Sequence, residues 1–482
     1  MFDASHTYLK QPPLCFERRD PVPLPNPRMV VWNAPLALAL GIDYDALSPE
    51  SWAEVLAGTY RLPHSEPFAQ AYAGHQYGNF VPQLGDGRAL MLGEVRDPHG
   101  RLWDVQLKGS GTTRFSRNGD GRCPLMPALR EYIISEAMAG LGIPTTRTLG
   151  VIASSMIIKR PHTLHPIQPA GVMMRIAASH LRVGTCEYFA AHQEYDALKA
   201  VADYALQRHY PHLMKEAQPY EALLHAIIHA QAELIAAWML VGFIHGVMNT
   251  DNMTLSGETI DFGPCAFMNH YDPATVFSSI DRHGRYAYGN QPSIAVWNLW
   301  VLSESLRPLL EQPMQADQVR ELFYAAFEHS YAHGMQKKLG IAHHPEQTLW
   351  AILTPLLTMM HACEADYTLT FRTLAALAND NTANYAHQTM HTHPLWHEWV
   401  QQWRTMQPDT ALMQRNNPAV IARNHLVEEA LEAAVTPNDV GDMHPLHALV
   451  ETLRTPYAEP QEIYRTQPPP KGSCAYETFC GT

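Results

Sequence analysis

Up to about residue 190, short apolar runs alternate with Gly, Asp and Pro; beyond it, apolar positions recur every three or four residues. The first rhythm is that of strands and turns, the second that of helices with a buried face. Residues 84–108, LGDGRALMLGEVRDPHGRLWDVQLK, read as hairpin material closing on the strand DVQLK, and VIASSMIIKR and AGVMMRIAAS read as further strands. Between them, PALREYIISEAMAGLG has helical spacing and ends on Gly, a stop signal. SPESWAEVLAG predicts a short helix with Pro49 in its first turn, where a missing N–H is tolerated. Six prolines over 12–27 predict an extended arm. Helical patterns cover 220–241, 293–311, 316–336 and 346–360, with no internal repeat. The final RTQPPPKGSCAYETFCGT has the composition of a tail. The layout predicts an α+β chain, β-rich first and helical afterwards.

Length and charge narrow the function classes. A chain of 482 residues suits two or three domains. With 34 basic against 47 acidic side chains the net charge is −13, which argues against a general nucleic-acid binder and leaves room for a local basic nucleotide pocket. The apolar stretch 222–244 contains His225, His229, Gln231 and Glu233, so it reads as a buried helix rather than a membrane span. The N-terminus lacks the basic and apolar regions of a secretory signal. Seven scattered cysteines without zinc-type spacing point to a reducing cytoplasm.

The chemistry concentrates in residues 242–264, GFIHGVMNTDNMTLSGETIDFGP. Protein kinases place H-R-D-x-x-x-x-N before D-F-G, and the Asp of the first motif takes the proton from the acceptor hydroxyl. Here His245 and Asn252 keep the spacing and Asp261-Phe262-Gly263 follows the apolar, strand-like segment MTLSGETI, but Val247 stands where the base belongs. Asn252 and Asp261 are hard oxygen ligands suited to Mg²⁺ or Mn²⁺. Lys108 ends a strand, and Glu131, 23 residues on, lies in the next helix, the order of a phosphate-binding Lys and its carboxylate partner. Arg175 and Arg182 flank IAASHL and read either as a phosphate grip or as two surface arginines. GDGRAL (85–90) and GSGTTRFSRNGDGR (109–122) both fail G-x-G-x-x-G, and ordinary hairpin turns explain them equally well. In HQTMHTHPLWHEW, His387, His391, His393 and His397 are dense, but Pro394 interrupts any single helix face and no H-E-x-x-H is present, so a metal site there is not expected.

Taken together with FAQAYAGHQYGNF, QLGDGRA, LKGSGTTRFSRNGDGR, LREYIISEAMAGLGIPTTR, MRIAASHLRVGTCE, IDFGPCAFM and RHGRYAYGNQP, these motifs resemble the selenoprotein O family, the YdiU-type protein adenylyltransferases of pseudokinase fold. The resemblance runs in order through residues 68–292 and resumes at the C-terminal end. It implies a two-lobed protein-kinase-like fold: an arm and N-lobe over 1–190, a helical C-lobe with its extension over 191–465, and a Cys-containing tail over 466–482. It implies transfer of AMP from ATP, or UMP from UTP, to Ser, Thr or Tyr hydroxyls of proteins, with release of pyrophosphate. Position by position, nucleotide contacts fall on Gly85, Gly87, Arg88, Lys108, Asp120, Gly121, Arg175 and Arg182, metal ligation on Asn252 and Asp261, the proton acceptor on Asp251, and the Lys partner on Glu131. The family's selenocysteine position corresponds to Cys480, a candidate redox residue, but Phe277 stands at its expected partner position, with Cys265 and Cys474 as substitutes. Two rivals remain open on the residues: a non-catalytic nucleotide-binding scaffold, and a true kinase using Asp251.

Overall fold

The computed structural model describes residues 3, 5–161, 163, 165–379 and 389–465. Twelve strands appear among the described residues: β1 (Phe16–Arg18), β2 (Arg28–Trp32), β3 (Phe68–Gln70), β4 (Gly74–Gln76), β5 (Asn79–Val81), β6 (Ala89–Arg96), β7 (Leu102–Lys108), β8 (Cys123–Pro124), β9 (Arg147–Lys159), β10 (Ile167–Ala177), β11 (Phe243–Ile244) and β12 (Ala266–Phe267). Three helices interrupt the first ten, α1 (Ala34–Ala39), α2 (Pro49–Ala57) and α3 (Leu125–Gly140). From α4 (Val183–Ala191) onward the chain is helical: α5 (Tyr195–His209), α6 (Pro219–Val241), α7 (Gln291–Leu306), α8 (Ala316–Lys338), α9 (Leu349–Ala362), α10 (Tyr367–Asn379), α11 (Trp396–Thr405), α12 (Thr410–Asn416), α13 (Asn424–Ala434) and α14 (His444–Leu453). The α+β expectation holds.

The main sheet runs β1-β3-β6-β7-β10-β9-β2, antiparallel throughout, with β8 pairing β10. Its two faces differ because side chains alternate along a strand. Val105 and Leu107 of β7 join Val172, Met174 and Ile176 of β10 in a core closed by Trp52, Val55 and Leu56 of α2. Gln106 and Lys108 point the other way, and the register sets Gln106 opposite Arg175 and Lys108 opposite Met173. One strand pair therefore presents an amide, an ammonium and a guanidinium on a single face. The β6–β7 turn is an Asx turn: the Asp97 carboxylate accepts the His99 and Arg101 N–H groups, each at 2.9 Å.

Several elements differ from the sequence reading. The arm over 12–27 contains an edge strand, β1, because its Phe16–Arg18 stretch is free of proline. The 293–311 pattern yields α7 only to Leu306, followed by a 3₁₀ turn over Arg307–Leu309, since Pro308 cannot donate into a continuing α-helix. MTLSGETI is not a strand. The Thr254 hydroxyl donates to the Glu258 carbonyl at 2.7 Å and accepts the Glu258 N–H at 2.9 Å, folding the segment into a turn. Helix α6 is the one described helix long and apolar enough to cross a membrane, and 61% of its most apolar window is buried in the protein, as the interrupting polar residues suggested.

Candidate active site

Lys108 emerges at the end of β7 and reaches two carboxylates. Its Nζ lies 2.5 Å from Glu131 Oε1 on α3 and 2.6 Å from Asp261 Oδ1. Arg175, from the neighbouring strand, donates to Asp261 Oδ1 at 2.7 Å and to Gln106 Oε1 at 2.6 Å. Arg182, just before α4, donates to Asp261 Oδ2 at 3.4 Å and to the Asp251 carbonyl at 2.9 Å. Arg175 and Arg182 are almost fully buried, so the surface reading of this pair is excluded. Burial opposes ionisation of Asp261, but Lys108, Arg175 and Arg182 outweigh it and hold the carboxyl well below its usual range. Asp261 also has φ +62°, a left-handed backbone that Asp tolerates better than most residues.

Thr250–Asn252 forms a 3₁₀ turn shortly after His245. The buried His245 ring donates from Nε2 to the Ile260 carbonyl at 2.8 Å and accepts the Val247 N–H at 3.4 Å. Burial lowers its pKa, which suits a neutral ring that ties the loop to the Asp261 segment. Asn252 Nδ2 donates to the Val247 carbonyl at 2.9 Å, which turns the opposite, carbonyl end of the amide away from that bond. A hard cation needs such oxygens, so Asn252 Oδ1 and the Asp261 carboxylate fit one chemically. Asp251 is buried, its Oδ2 receives only a 3.5 Å contact from Gln76 Nε2, and its Oδ1 has no partner. Burial, partly opposed by Arg182, pushes its carboxyl up to about 7.

The glycine-rich loops meet each other. Thr113 donates to the Asp86 carbonyl at 2.8 Å, Ser116 donates to the Gly87 carbonyl, and Gly111 N–H donates to the Gly121 carbonyl at 3.0 Å. A side chain at Gly85 would enter the Phe115 ring, one at Gly87 would lie 2.8 Å from the Phe115 carbonyl, and one at Gly121 would enter the Gly111 backbone. Close loop-to-loop packing thus requires these glycines, and the hairpin-turn reading of 109–122 gives way to an irregular loop. Arg88 immediately precedes β6, its carbonyl accepting the Gly109 N–H at 2.7 Å. The Asp120 carboxylate pairs with Arg160 at 2.8 Å and accepts the Arg122 N–H at 3.0 Å, partners outside the Lys108 cluster.

Sequence reasoning missed three contributors. Asp86, fully buried and pushed up to about 6 by burial against the pull of Arg182, lies 3.4 Å from Gln106 Nε2. Gln106 bridges Asp86 to Arg175, and the period of two along DVQLK would have placed it beside Lys108. The Tyr72 ring lies 4.3 Å beneath the Arg182 guanidinium. No group of three or more His, Cys, Asp or Glu side chains is placed to hold a metal among the described residues, which include His391, His393 and His397; His387 lies outside them. Cys474 and Cys480 also lie outside them, and Cys265 is fully buried with its thiol pushed up to about 12.

Three cations gather on the half-buried Asp261, and the buried Asp251 carboxylate stands in a kinase-type loop that lacks its base, a set of charges suited to an enzyme that handles phosphate groups. The family model described as Protein adenylyltransferase SelO matches residues 11–454, and the chain belongs to that family. Among its relatives is a protein nucleotidyltransferase YdiU of Brevibacillus brevis, 49% identical over 495 residues that span 100% of this chain and 97% of the relative. Another, of Maridesulfovibrio salexigens, is 46% identical over 497 residues, spanning 100% and 98%. A third, of Shouchella clausii, is 49% identical over 496 residues, spanning 100% and 98%.

Proposed function

We propose that this protein adenylyltransferase binds ATP through Lys108, Arg175 and Arg182 and moves AMP onto Ser, Thr or Tyr hydroxyls of proteins, with Asp251 as the proton acceptor. The acceptor oxygen forms a bond to the α-phosphorus, the bond from that phosphorus to the bridging oxygen breaks, pyrophosphate leaves, and the hydroxyl proton passes to Asp251. The observation that carries this reading is the unpartnered, buried Oδ1 of Asp251 next to a triad of cations, in a loop where Val247 has replaced the kinase base. Lys108, Arg175 and Arg182 fix positive charge where the leaving group gathers negative charge. Gly85, Gly87, Arg88, Asp120 and Gly121 belong to the two contacting loops that would border the nucleotide. Asn252 and Asp261 would hold Mg²⁺ or Mn²⁺, which when bound neutralises phosphate charge. UTP in place of ATP, with UMP transferred, fits the same phosphate grip.

The cluster lies between the sheet and the helical part, which supports a two-lobed, kinase-like arrangement with an N-lobe over 1–190, a C-lobe with its extension over 191–465, and a tail over 466–482. The deciding experiment uses ATP labelled at either the α- or the γ-phosphate, with Mg²⁺ or Mn²⁺. Adenylyl transfer leaves α-label on protein, self-modification included, and γ-label in pyrophosphate. Stable γ-label on protein that Asp251→Ala abolishes would replace this reading with a true kinase, and no label in either form would leave a binding scaffold.

A further inference from the structure

The hairpin β4–β5 links the Asp251 carboxylate to a second feature on the surface. At its base, a side chain on Gly74 would sit 2.6 Å from Asp251 Oδ1; at its turn, one on Gly78 would sit 3.6 Å from the Arg285 guanidinium carbon. Beyond that turn opens a groove of about 500 Å³ lined by Tyr77, Ile280, Arg282, His283, Arg285 and Ile294. Asp281 also borders it, but its carboxylate accepts the Arg285 and Tyr286 N–H groups at 2.9 and 2.7 Å and is spent inside the turn. Arg285 stacks over Trp297 at 5.0 Å and Tyr286 at 5.7 Å, and its buried Nε has no hydrogen-bond partner. Arg282 is exposed, and among the described residues neither guanidinium has a carboxylate in ion-pair range. Ile280 beside them is 57% exposed. Unpaired cations next to an uncovered aliphatic side chain stand out on a chain of net charge −13.

We propose that this groove docks the acceptor polypeptide through an acidic side chain lying three or four residues from the hydroxyl that receives AMP. The inference rests on the nucleotidyl-transfer reading with Asp251 as proton acceptor. The spacing follows from the hairpin. Gly78 lies four positions after Gly74, with Gly74–Gln76 in the strand and Tyr77–Gly78 in the turn; at ~3.3 Å per strand residue and less through the turn, groove and base stand roughly 10 Å apart. An acceptor segment running extended beside the hairpin covers that distance in three or four residues. Its carboxylate meets Arg282 and Arg285, and an apolar neighbour covers Ile280 and Ile294. Exposed charge pairs of this kind act mainly on which polypeptide is held, and little on the bond-making step.

The test uses the full chain, α-labelled ATP, and peptides with one Tyr and one Asp set one to six residues away on either side, the rest being small neutral residues. The expected result is a maximum in kcat/KM at a spacing of three or four, about two- to fivefold above the Asp-free peptide, expressed in KM. Arg282→Glu with Arg285→Glu should erase the preference and transfer it to peptides carrying Lys at that spacing. Self-modification and labelling of the Asp-free peptide should stay unchanged. Equal rates at every spacing, or a preference that survives the double variant, would overturn the proposal. If no α-label moves at all, the nucleotidyl-transfer reading fails instead. The groove is then judged by anisotropy of a fluorescein-labelled acidic peptide, which must bind the wild-type protein more tightly than Arg282→Glu, a change at an exposed position that leaves the core untouched.

Discussion

At the scale of single residues, two carboxylates ten positions apart are driven in opposite directions. Asp261 is held ionised by three cations, while Asp251, sharing only one of them, keeps an unpartnered oxygen. That difference separates the two in mutagenesis. Asp251→Asn should lower AMP transfer about 10²–10⁴-fold while nucleotide binding, followed by calorimetry, is retained, because a proton acceptor acts in the transition state. Asp261→Asn and Lys108→Ala should both lose binding and transfer, and equal behaviour of all three variants would refute the division. Gly74 supplies an independent handle. An added methyl would lie 2.6 Å from Asp251 Oδ1 and 3.0 Å from its Cγ, so Gly74→Ala should reduce kcat and leave the KM for ATP unchanged. At this scale the sequence was legible where chemistry follows motif order: Lys108, Glu131, Asn252 and Asp261 stand in kinase order, and the structure brings Lys108, Glu131 and Asp261 into contact. Asp86 was illegible, because its place beside Gln106 depends on strand register that no local pattern reveals.

At the scale of elements, helix α8 shows what burial does to a charge. Lys338, in its last turn, is 3% exposed, with its Nζ 4.5 Å from the Phe371 ring centre and 5.6 Å from that of Tyr367, both on α10. Burial lowers its amine to about 7, below the ordinary lysine value. The unfolded chain therefore binds a proton that the folded chain does not over the range between about 7 and about 10.5, and stability rises with pH through that window. Lys338→Met, which keeps the stem and removes the amine, should raise the melting temperature by a few degrees at neutral pH. The gain should shrink as pH approaches the value of a free lysine, and a gain independent of pH would contradict this account. The helix itself was legible, since 316–336 has the spacing and the structure extends it only to Lys338. The MTLSGETI segment misled because its Thr254–Glu258 closure uses a side-chain hydroxyl, and β-branched residues near an apolar run look the same whether they pair with a strand or with their own turn.

At the scale of the whole molecule, the C-terminal helices reach back to the helix that bears Glu131. Arg130, its neighbour, donates to Glu428 at 2.6 Å and Asn424 at 2.7 Å on α13, to the Cys265 carbonyl at 2.8 Å and to the Gly263 carbonyl at 3.3 Å. Arg454, after α14, holds Glu136 of α3 at 3.0 Å and Asn33 at 3.0 Å. Helix α3, which bears Glu131, is thus braced by residues far along the chain. Arg130→Ala should destabilise the fold by roughly 3 kcal/mol, since it strands Glu428 and two carbonyls. It should also lower transfer beyond what the lost stability explains, read as a reduced kcat in protein that still melts cooperatively. Nothing in the local sequence announces these contacts, which join residues 133 to 421 positions apart. The order of synthesis gives them a further meaning. Every residue of the cation cluster has been synthesised once Asp261 is added, but Glu428 follows 167 residues later, a delay of about 10–30 s at ordinary elongation rates. A nascent chain thus carries its cation cluster well before the helices that steady Glu131 exist, so labelling of ribosome-bound intermediates should begin only when α13 and α14 have emerged.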